Sequence, residues 1–210
     1  MTSLSFKNLL IRCLHFHLLY LLSNHITMNS CLIIIDIQND YFHNGSMELV
    51  GSEEASVNAK AIIDRFREEK LPIVFIQHIA HYSGATFFIP NTYGVKIHNN
   101  VKPVGNEKVI TKHYPNSFRE TELLSHLNDN NISDLIICGM MTHMCIDTTV
   151  RAAYDLRFNN TLIGDACATK NLDFDSKVVQ SQEVQTSFLA ALHGTFANVI
   201  NSNEFLNVRT

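Results

Sequence analysis

The sequence has little glycine, little proline and no paired cysteines, and each of these scarcities excludes a class of protein. It holds 8 glycines and 4 prolines in 210 residues, with 46% hydrophobic residues. This is the composition of a chain with one sizeable core rather than of a disordered one. The five cysteines are an odd number and include no C-x-x-C pair, which argues against a disulfide framework and a structural zinc site. A reducing, cytoplasmic location fits this cysteine content best.

Long runs of like charge and glycine-rich phosphate loops are also missing. Charged residues make up 17% of the chain and the net charge is −4, so we expect no nucleic-acid partner. The segment "DIQNDYFHNG", 36–45, follows an apolar run without the G-x-G-x-x-G cradle that a dinucleotide site needs. A nucleotide-binding or regulatory module is therefore disfavoured, and a small-molecule substrate is the expected ligand.

The first 27 residues differ from the rest of the chain. They include Lys7 and Arg12, and no acidic residue, before a short apolar patch. A basic start before an apolar run is typical of a signal peptide, but no small-residue cleavage site precedes Met28, and the patch is too short for a membrane span. We therefore favour an N-terminal extension outside the fold (1–27) over a targeting segment, place the folded domain at 28–210, and expect no membrane partner.

Apolar runs alternate with amphipathic segments along the remaining chain. The runs predict strands at 31–38, 71–78, 107–113, 133–139, 161–166 and 196–200, and the amphipathic segments predict helices at 53–69, 119–130, 142–157 and 176–193. Such alternation predicts βαβ units with right-handed crossovers, and hence a three-layer α-β-α, Rossmann-like fold around a parallel sheet. The irregular stretch 79–106 is long for a compact domain and predicts a loop that covers a site.

Residues with catalytic side chains follow several of these strands. Ligands bind beyond the carboxyl ends of strands in such a sheet, where the first strand delivers Asp36, the third Lys112, and the turn after the fourth leads to Cys145. The second strand delivers His78 and the fifth Asp165, which we expect to fix a neighbouring turn. We expect Asp36 and Lys112 to end neighbouring central strands.

Cys145 is the candidate nucleophile, since it lies near a helix start after a tight turn that begins at Gly139. A helix start and a turn with converging N–H groups lower or exploit the pKa of a thiol, which is ordinarily about 8.5. Asp36 is placed to accept the thiol proton, and Lys112 to hold that carboxylate. Cys145 as core filler, Asp36 as a cap and Lys112 as a solvated charge are the structural alternatives. The convergence of the three at one sheet edge favours the catalytic interpretation.

Three motifs carry a family resemblance: "LIIIDIQNDY" at 32–41, "VITKHYPNSF" at 109–118 and "CGMMTHMCIDTTVRAA" at 138–153. In this order and on these elements, they resemble the isochorismatase-like cysteine hydrolases over roughly residues 30–200. The resemblance implies a hydrolase domain with a six-stranded parallel sheet flanked by helices.

The resemblance also implies a mechanism. It assigns an Asp36–Lys112–Cys145 triad, a non-proline cis peptide at Met140–Met141, and an oxyanion hole made by the backbone N–H groups of Met141 and Cys145. Cys145 would attack an amide carbonyl, Asp36 would pass the thiol proton to the leaving amine, and water would hydrolyse the thioester. No cofactor is implied.

One departure concerns metal binding. Nicotinamidases of this superfamily hold a metal through an Asp-x-His pair after the second strand, whereas this chain reads "IQHIAHYSGATFFIP", with His78 and His81 and no such pair. A loose pair of histidines is more often packing or substrate contact than a metal site. We expect no metal, and hence no specificity for nicotinamide.

The predicted pocket combines polar and aromatic residues. Adjacent phenylalanines in a loop are costly to expose, so Phe87 and Phe88 form either a lid for a small, partly apolar substrate or an interface in a homo-oligomer. Both roles fit together, because oligomeric members of the superfamily complete the pocket with a partner chain. The expected pocket residues are Gln38, Phe42, His78, Phe87, Phe88, Tyr114, Phe118 and Thr142.

Two alternatives keep the fold but change the chemistry. Vinyl-ether hydrolysis of isochorismate is one, although some relatives with that activity lack the cysteine, so Cys145 counts against it. A redox sensor is the other, because a thiol of low pKa is oxidisable. It would need a resolving cysteine, for which Cys167 is the candidate, although we interpret Cys167 as structural.

Overall fold

The computed structural model describes residues 28–207, and most of its strands belong to one sheet. That sheet is built from β1 (Ser30–Ile35), β2 (Ile73–His78), β3 (Lys108–Lys112), β4 (Asp134–Met140), β5 (Asn159–Ala168) and β8 (Asn198–Ile200). A separate hairpin consists of β6 (Leu172–Phe174) and β7 (Lys177–Val179). The helices are α1 (Ser52–Glu68), α2 (Leu123–Asp129), α3 (Asp147–Asp155), α4 (Ser181–Leu192) and α5 (Ser202–Asn207).

The six strands are all parallel and lie in the order β3-β2-β1-β4-β5-β8. Every residue of β1 is buried, as expected of a central strand covered on both faces. The helix α1 buries Ala55, Ala59, Ile62 and Phe66 along one face, and Phe66 stacks on Phe205 of α5. The predicted fold, a six-stranded parallel sheet flanked by helices, is confirmed.

The strand order corrects one prediction about the site. Since β2 lies between β1 and β3, Asp36 and Lys112 do not end neighbouring strands, and β3 is an edge strand. The chain builds β2 and β3 on one side of β1 and then returns to place β4 on the other. That reversal opens a crevice between β1 and β4 at their carboxyl ends. The long side chain of Lys112 reaches this crevice past β2.

Several helix boundaries differ from the prediction. The predicted helix at 176–193 begins only at Ser181, because residues 177–179 form β7. The turn before them has φ angles of 49° at Asp175 and 59° at Ser176, which is the geometry of a two-residue hairpin loop. The predicted helix at 142–157 consists of a π-helical turn, Thr142–Ile146, followed by α3. The segment 119–130 is helical only in α2, and α5 and the hairpin were not predicted.

The stretch 79–106 is irregular as predicted, apart from a 3₁₀ turn at Asn99–Val101. Within residues 28–207, no helix is long and apolar enough to cross a membrane. The predicted N-terminal extension, 1–27, lies outside the described residues.

Candidate active site

Asp36 and Lys112 form an ion pair at the carboxyl edge of the sheet. Lys112 Nζ lies 2.7 Å from Asp36 Oδ2, and both side chains are fully buried. The ammonium also donates to the carbonyl oxygens of Tyr114 and Pro115, at 3.1 and 3.2 Å, and lies 3.3 Å from His78 Nδ1. These acceptors replace the water that a buried ammonium loses, which is what a stable buried ion pair requires.

Both members of this pair are ionised at neutral pH. Burial raises the pKa of Asp36, but the Lys112 ammonium and the neighbouring His78 outweigh burial, and the pKa lies below its usual 3.8. Burial lowers the pKa of Lys112, but the Asp36 carboxylate and Cys145 outweigh it, and the pKa lies above its usual 10.5. The crevice therefore holds a carboxylate and an ammonium side by side.

The backbone around the crevice takes unusual conformations. Asp36 has a φ of 51°, in the left-handed region that aspartate tolerates better than most residues. Gly139 has a φ of 137°, and a Cβ there would lie 2.0 Å from the carbonyl oxygen of Ile35. Only glycine therefore lets β4 pass so close to β1. The next peptide bond but one, Met140–Met141, is cis.

Cys145 lies in the π-helical turn that follows this peptide and is 4% exposed. A carboxylate oxygen of Asp36, a ring nitrogen of His78 and Sγ of Cys145 lie within 4.8 Å of one another. Burial, followed by the nearby Asp36 charge, raises the pKa of the thiol to about 12, although Lys112 lowers it. The thiol is therefore protonated at neutral pH and faces a carboxylate. The sequence anticipated the features that favour the thiolate but not the larger effect of burial.

The same cluster also resembles a set of metal ligands. Asp36, His78 and Cys145 each offer one donor atom. However, the Lys112 ammonium contacts the first two of these groups, at 2.7 and 3.3 Å, and so a cation already occupies the position between them. This donor set fits a metal ion poorly.

A cavity of about 390 Å³ opens over this cluster. Among the predicted pocket residues, His78, Phe87, Phe88 and Tyr114 line it. The full lining is Tyr41, His78, Ala80, His81, Tyr82, Phe87, Phe88, His113, Tyr114, Pro115, Met141, Met144 and Cys145. In the described part of the chain, the wall offers no guanidinium, ammonium or carboxylate, so the cavity suits a small, uncharged, partly apolar molecule.

Gln38 does not line the cavity, but it connects two segments that surround the cavity. Its Nε2 donates to the carbonyl oxygens of His78 and Val95, at 2.9 and 2.7 Å, and its Oε1 accepts from the backbone N–H of His78 at 2.7 Å. The end of β2 and the returning part of the long loop are thus fixed to one side chain.

Three further predicted pocket residues also lie outside the lining and pack around it. In each case the side chain stacks on or hydrogen bonds to a residue in another part of the chain. Phe42 stacks on His98 with ring centroids 3.6 Å apart, Phe118 stacks on Phe158 at 6.0 Å, and Thr142 Oγ1 donates to Gln185 Oε1 at 2.7 Å.

Tyr41 is the buried polar residue of the wall that sequence reasoning missed. A 3₁₀ turn at Asn39–Tyr41 directs Tyr41 into the cavity and leaves the next residue, Phe42, outside it. The polar run "QND" before these aromatics was the signal for such a turn. His81 and His113, at the exposed end of the cavity, were also not predicted to line it, because loop geometry places them there.

Comparison with known proteins gives this site a family context. Residues 30–204 match the isochorismatase domain family. The chain is 45% identical over 179 residues to the uncharacterized isochorismatase family protein YddQ of Bacillus subtilis, covering 85% of this chain and 99% of that one. Its sequence is 33% identical to that of an isochorismatase from Pseudomonas putida whose crystal structure is known. The two structures superpose with a TM-score of 0.79, over 84% of this chain and 90% of that one. A streptothricin hydrolase from Streptomyces noursei is 27% identical over 147 residues, covering 67% of this chain and 50% of its own. The chain therefore belongs to the isochorismatase family and is a hydrolase.

Proposed function

We propose that this hydrolase cleaves a C–N bond of a small, uncharged amide through a thioester on Cys145, with Asp36 and Lys112 completing the triad. One observation carries the proposal. Asp36 is ionised and buried, its Oδ1 has no hydrogen-bond partner among residues 28–207, and it lies beside a protonated thiol under a cavity. A carboxylate oxygen that has no hydrogen-bond partner and lies next to a thiol is arranged to accept a proton.

In the first step, Sγ of Cys145 attacks the carbonyl carbon while its proton passes to Asp36. The carbonyl π electrons move to oxygen, and the proposed hole, formed by the backbone N–H groups of Met141 and Cys145, stabilises the resulting charge. The intermediate then collapses as the C–N bond breaks, and Asp36 returns the proton to the leaving nitrogen. An acyl thioester and a free amine or ammonia result.

In the second step, water attacks the thioester and Asp36 accepts one of its protons. The C–S bond breaks, the carboxylic acid is released, and the proton returns to sulfur. Lys112 keeps Asp36 ionised between these transfers. Because the pKa of Asp36 is low and that of the thiol is raised, a free thiolate is scarce in the empty cavity. Proton transfer therefore accompanies formation of the C–S bond.

The similarity to a hydrolase named for streptothricin supports a small organic molecule as substrate. Among residues 28–207, no lysine, arginine or acidic side chain lines the cavity, and this favours an uncharged substrate, because an unpaired charge would be desolvated there at high cost.

A substrate screen with mass spectrometry tests the proposal. The purified protein is incubated with small amides, carbamoyl compounds and lactams, and the expected result is hydrolysis with an acyl adduct on Cys145. Cys145→Ala should abolish turnover and keep the fold. Cys167→Ala, which removes a buried thiol outside this cavity, is the matched control. If Cys145→Ala turns over the same substrate at the wild-type rate, the mechanism is wrong. Isochorismate belongs in the same screen, since its cleavage would support the vinyl-ether alternative.

A further inference from the structure

We infer that the hydroxyl group of Tyr41 selects the substrate by hydrogen bonding to a second polar atom, separate from the amide under attack. The inference rests on the proposed function and names the substrate class more closely. That class is a small, uncharged amide with one additional hydrogen-bonding atom on its apolar body. The observation behind it is a buried phenol that lines the cavity and whose hydroxyl forms no hydrogen bond with another group among residues 28–207.

Tyr41 differs from the other polar groups of the wall in its burial. It is 1% exposed, whereas Tyr82, His81 and His113 lie at the exposed end of the cavity. Among the lining residues that the structure describes, only Tyr41 and Cys145 are buried and carry a hydroxyl or thiol group. Within residues 28–207, the hydrogen bonds of Tyr41 involve its backbone alone, through Gln38 and Leu49. A buried hydroxyl normally has a partner, and here the cavity is where one would bind.

The ring of Tyr41 is held in place, so its hydroxyl has a defined position. It packs against Phe88 with ring centroids 4.7 Å apart and against Phe87 at 6.0 Å. Burial, and then the nearby Cys145 and Asp36, raise its pKa well above the usual 10. The group is thus a neutral hydroxyl throughout the working pH range, able to donate or accept one hydrogen bond.

Such a group discriminates by penalising ligands that cannot pair with it. An amide of the right size whose body carries no other polar atom would expel water from the Tyr41 hydroxyl and leave that hydroxyl unpaired. A site built around a hydrogen bond rejects analogues that lack the partner atom more strongly than an apolar pocket rejects a missing methylene. The cavity should therefore distinguish between amides of almost equal volume.

The test compares Tyr41→Phe with wild type on benzamide and its three monohydroxy isomers. We expect wild type to prefer one hydroxybenzamide over benzamide by at least about tenfold in kcat/KM, and Tyr41→Phe to reduce that ratio to within about threefold. Tyr93→Phe makes the same chemical change at a residue that is 70% exposed and outside this cavity, and should keep the wild-type ratio. An unchanged ratio in Tyr41→Phe, or an equal loss on all four probes, overturns the inference.

Binding to the Cys145→Ala protein separates this inference from the proposed reaction. Calorimetry measures the affinity of the same four probes with Tyr41 present and with Tyr41→Phe added. If wild type hydrolyses none of the probes but its preference in binding depends on Tyr41, the reaction fails and the inference stands. If hydrolysis depends on Cys145 but Tyr41→Phe leaves the preference intact, the inference fails alone. If no hydroxybenzamide is preferred over benzamide in turnover or binding, the inference is overturned.

Discussion

The Asp36–Lys112 pair concentrates two opposite charges where the sheet excludes water. Each charge stabilises the other, since removal of either would leave its partner buried without a counter-ion. The motifs "LIIID" and "VITK" were enough to identify both residues from sequence. The strand between them was not evident, because the order of strands depends on how the connections cross the sheet and not on the strands themselves.

Replacing Lys112 by methionine tests the pair. The variant keeps most of the side-chain volume but leaves the Asp36 carboxylate buried without its counter-ion, so the free energy of unfolding should fall by about 3–5 kcal/mol. Urea unfolding measures this change, and turnover should be lost. The double variant Asp36→Asn with Lys112→Met removes both charges and should regain stability without regaining activity.

Lys108→Met is the control for that experiment. Lys108 pairs with Glu122 at the surface, with both side chains partly exposed, so its loss should change stability little. A Lys112→Met protein as stable as wild type would show that the charges assigned to the pair are wrong.

The protonated state of Cys145 predicts a specific pH dependence for alkylation. With a pKa of about 12, its thiolate fraction at pH 8 is roughly 10³-fold below that of an ordinary thiol. Iodoacetamide labelling of the folded protein, followed by mass spectrometry at Cys145, should be slow at pH 8 and still be rising at pH 10. The same labelling of urea-unfolded protein gives the pH dependence of an ordinary thiol for comparison. A plateau near pH 8.5 in the folded protein would contradict the raised pKa.

At the scale of elements, the segment that follows β1 organises the long loop. Asp40 is buried, and its two carboxylate oxygens accept from the backbone N–H groups of Phe88 at 2.6 Å and Ser46 at 3.2 Å. Phe88 has a φ of 55°, and a Cβ at Gly94 would lie 1.9 Å from Asp40 Oδ1. The aromatic wall of the cavity is therefore held from below by a carboxylate that touches none of the reacting groups.

Asp40→Asn tests this positioning role. An asparagine side chain has a single carbonyl oxygen, so one of the two N–H groups loses its acceptor and the wall around Phe88 loosens. We expect KM to rise by about tenfold with a smaller change in kcat, since binding and not bond cleavage depends on the wall. Hydrogen exchange of the Phe88 amide should become faster.

Asp173→Asn in the exposed hairpin makes the same change away from the loop and is the control. Unchanged KM and unchanged exchange in Asp40→Asn would remove Asp40 from this role.

Sequence patterns predicted the elements unevenly, for physical reasons. The fully apolar strands at the sheet centre were clear, because burial on both faces leaves little ambiguity. The hairpin before α4 was missed, since Asp175 and Ser176 take the left-handed conformations that are more typical of glycine and asparagine. Tyr41 was missed in favour of Phe42, because a single 3₁₀ turn decides which of two adjacent aromatics faces the cavity.

At the scale of the whole molecule, the distribution of exposed apolar side chains bears on assembly. Phe88 is 1% exposed and Phe87 is half-buried against it, so this pair needs no partner chain to cover it. The largest exposed apolar side chain of the hairpin is Phe174, 83% exposed, beside Val178 at 53%. The homo-oligomer expected from the sequence remains a prediction, and these residues suggest where to test it.

Light scattering after size exclusion measures the assembly directly. We expect a mass that is a multiple of the chain mass, and Phe174→Ser should lower the association constant, since it removes apolar area from the hairpin. Val57→Ser removes an exposed apolar side chain from α1 and should leave the mass unchanged. A monomer at all concentrations would contradict the prediction.

The amide of Gln38 has a consequence for how this scaffold can diversify. This amide forms hydrogen bonds with the backbone of both His78 and Val95. These bonds fix the two ends of the segment between those residues. We therefore expect residues 80–93 to tolerate substitutions that keep the backbone N–H of Phe88 for Asp40 without displacing Asp36, Lys112 or Cys145. The part of the cavity wall that this loop supplies, with Phe87 and Phe88, can thus vary while Tyr41 and the Asp36–Lys112–Cys145 cluster keep their places.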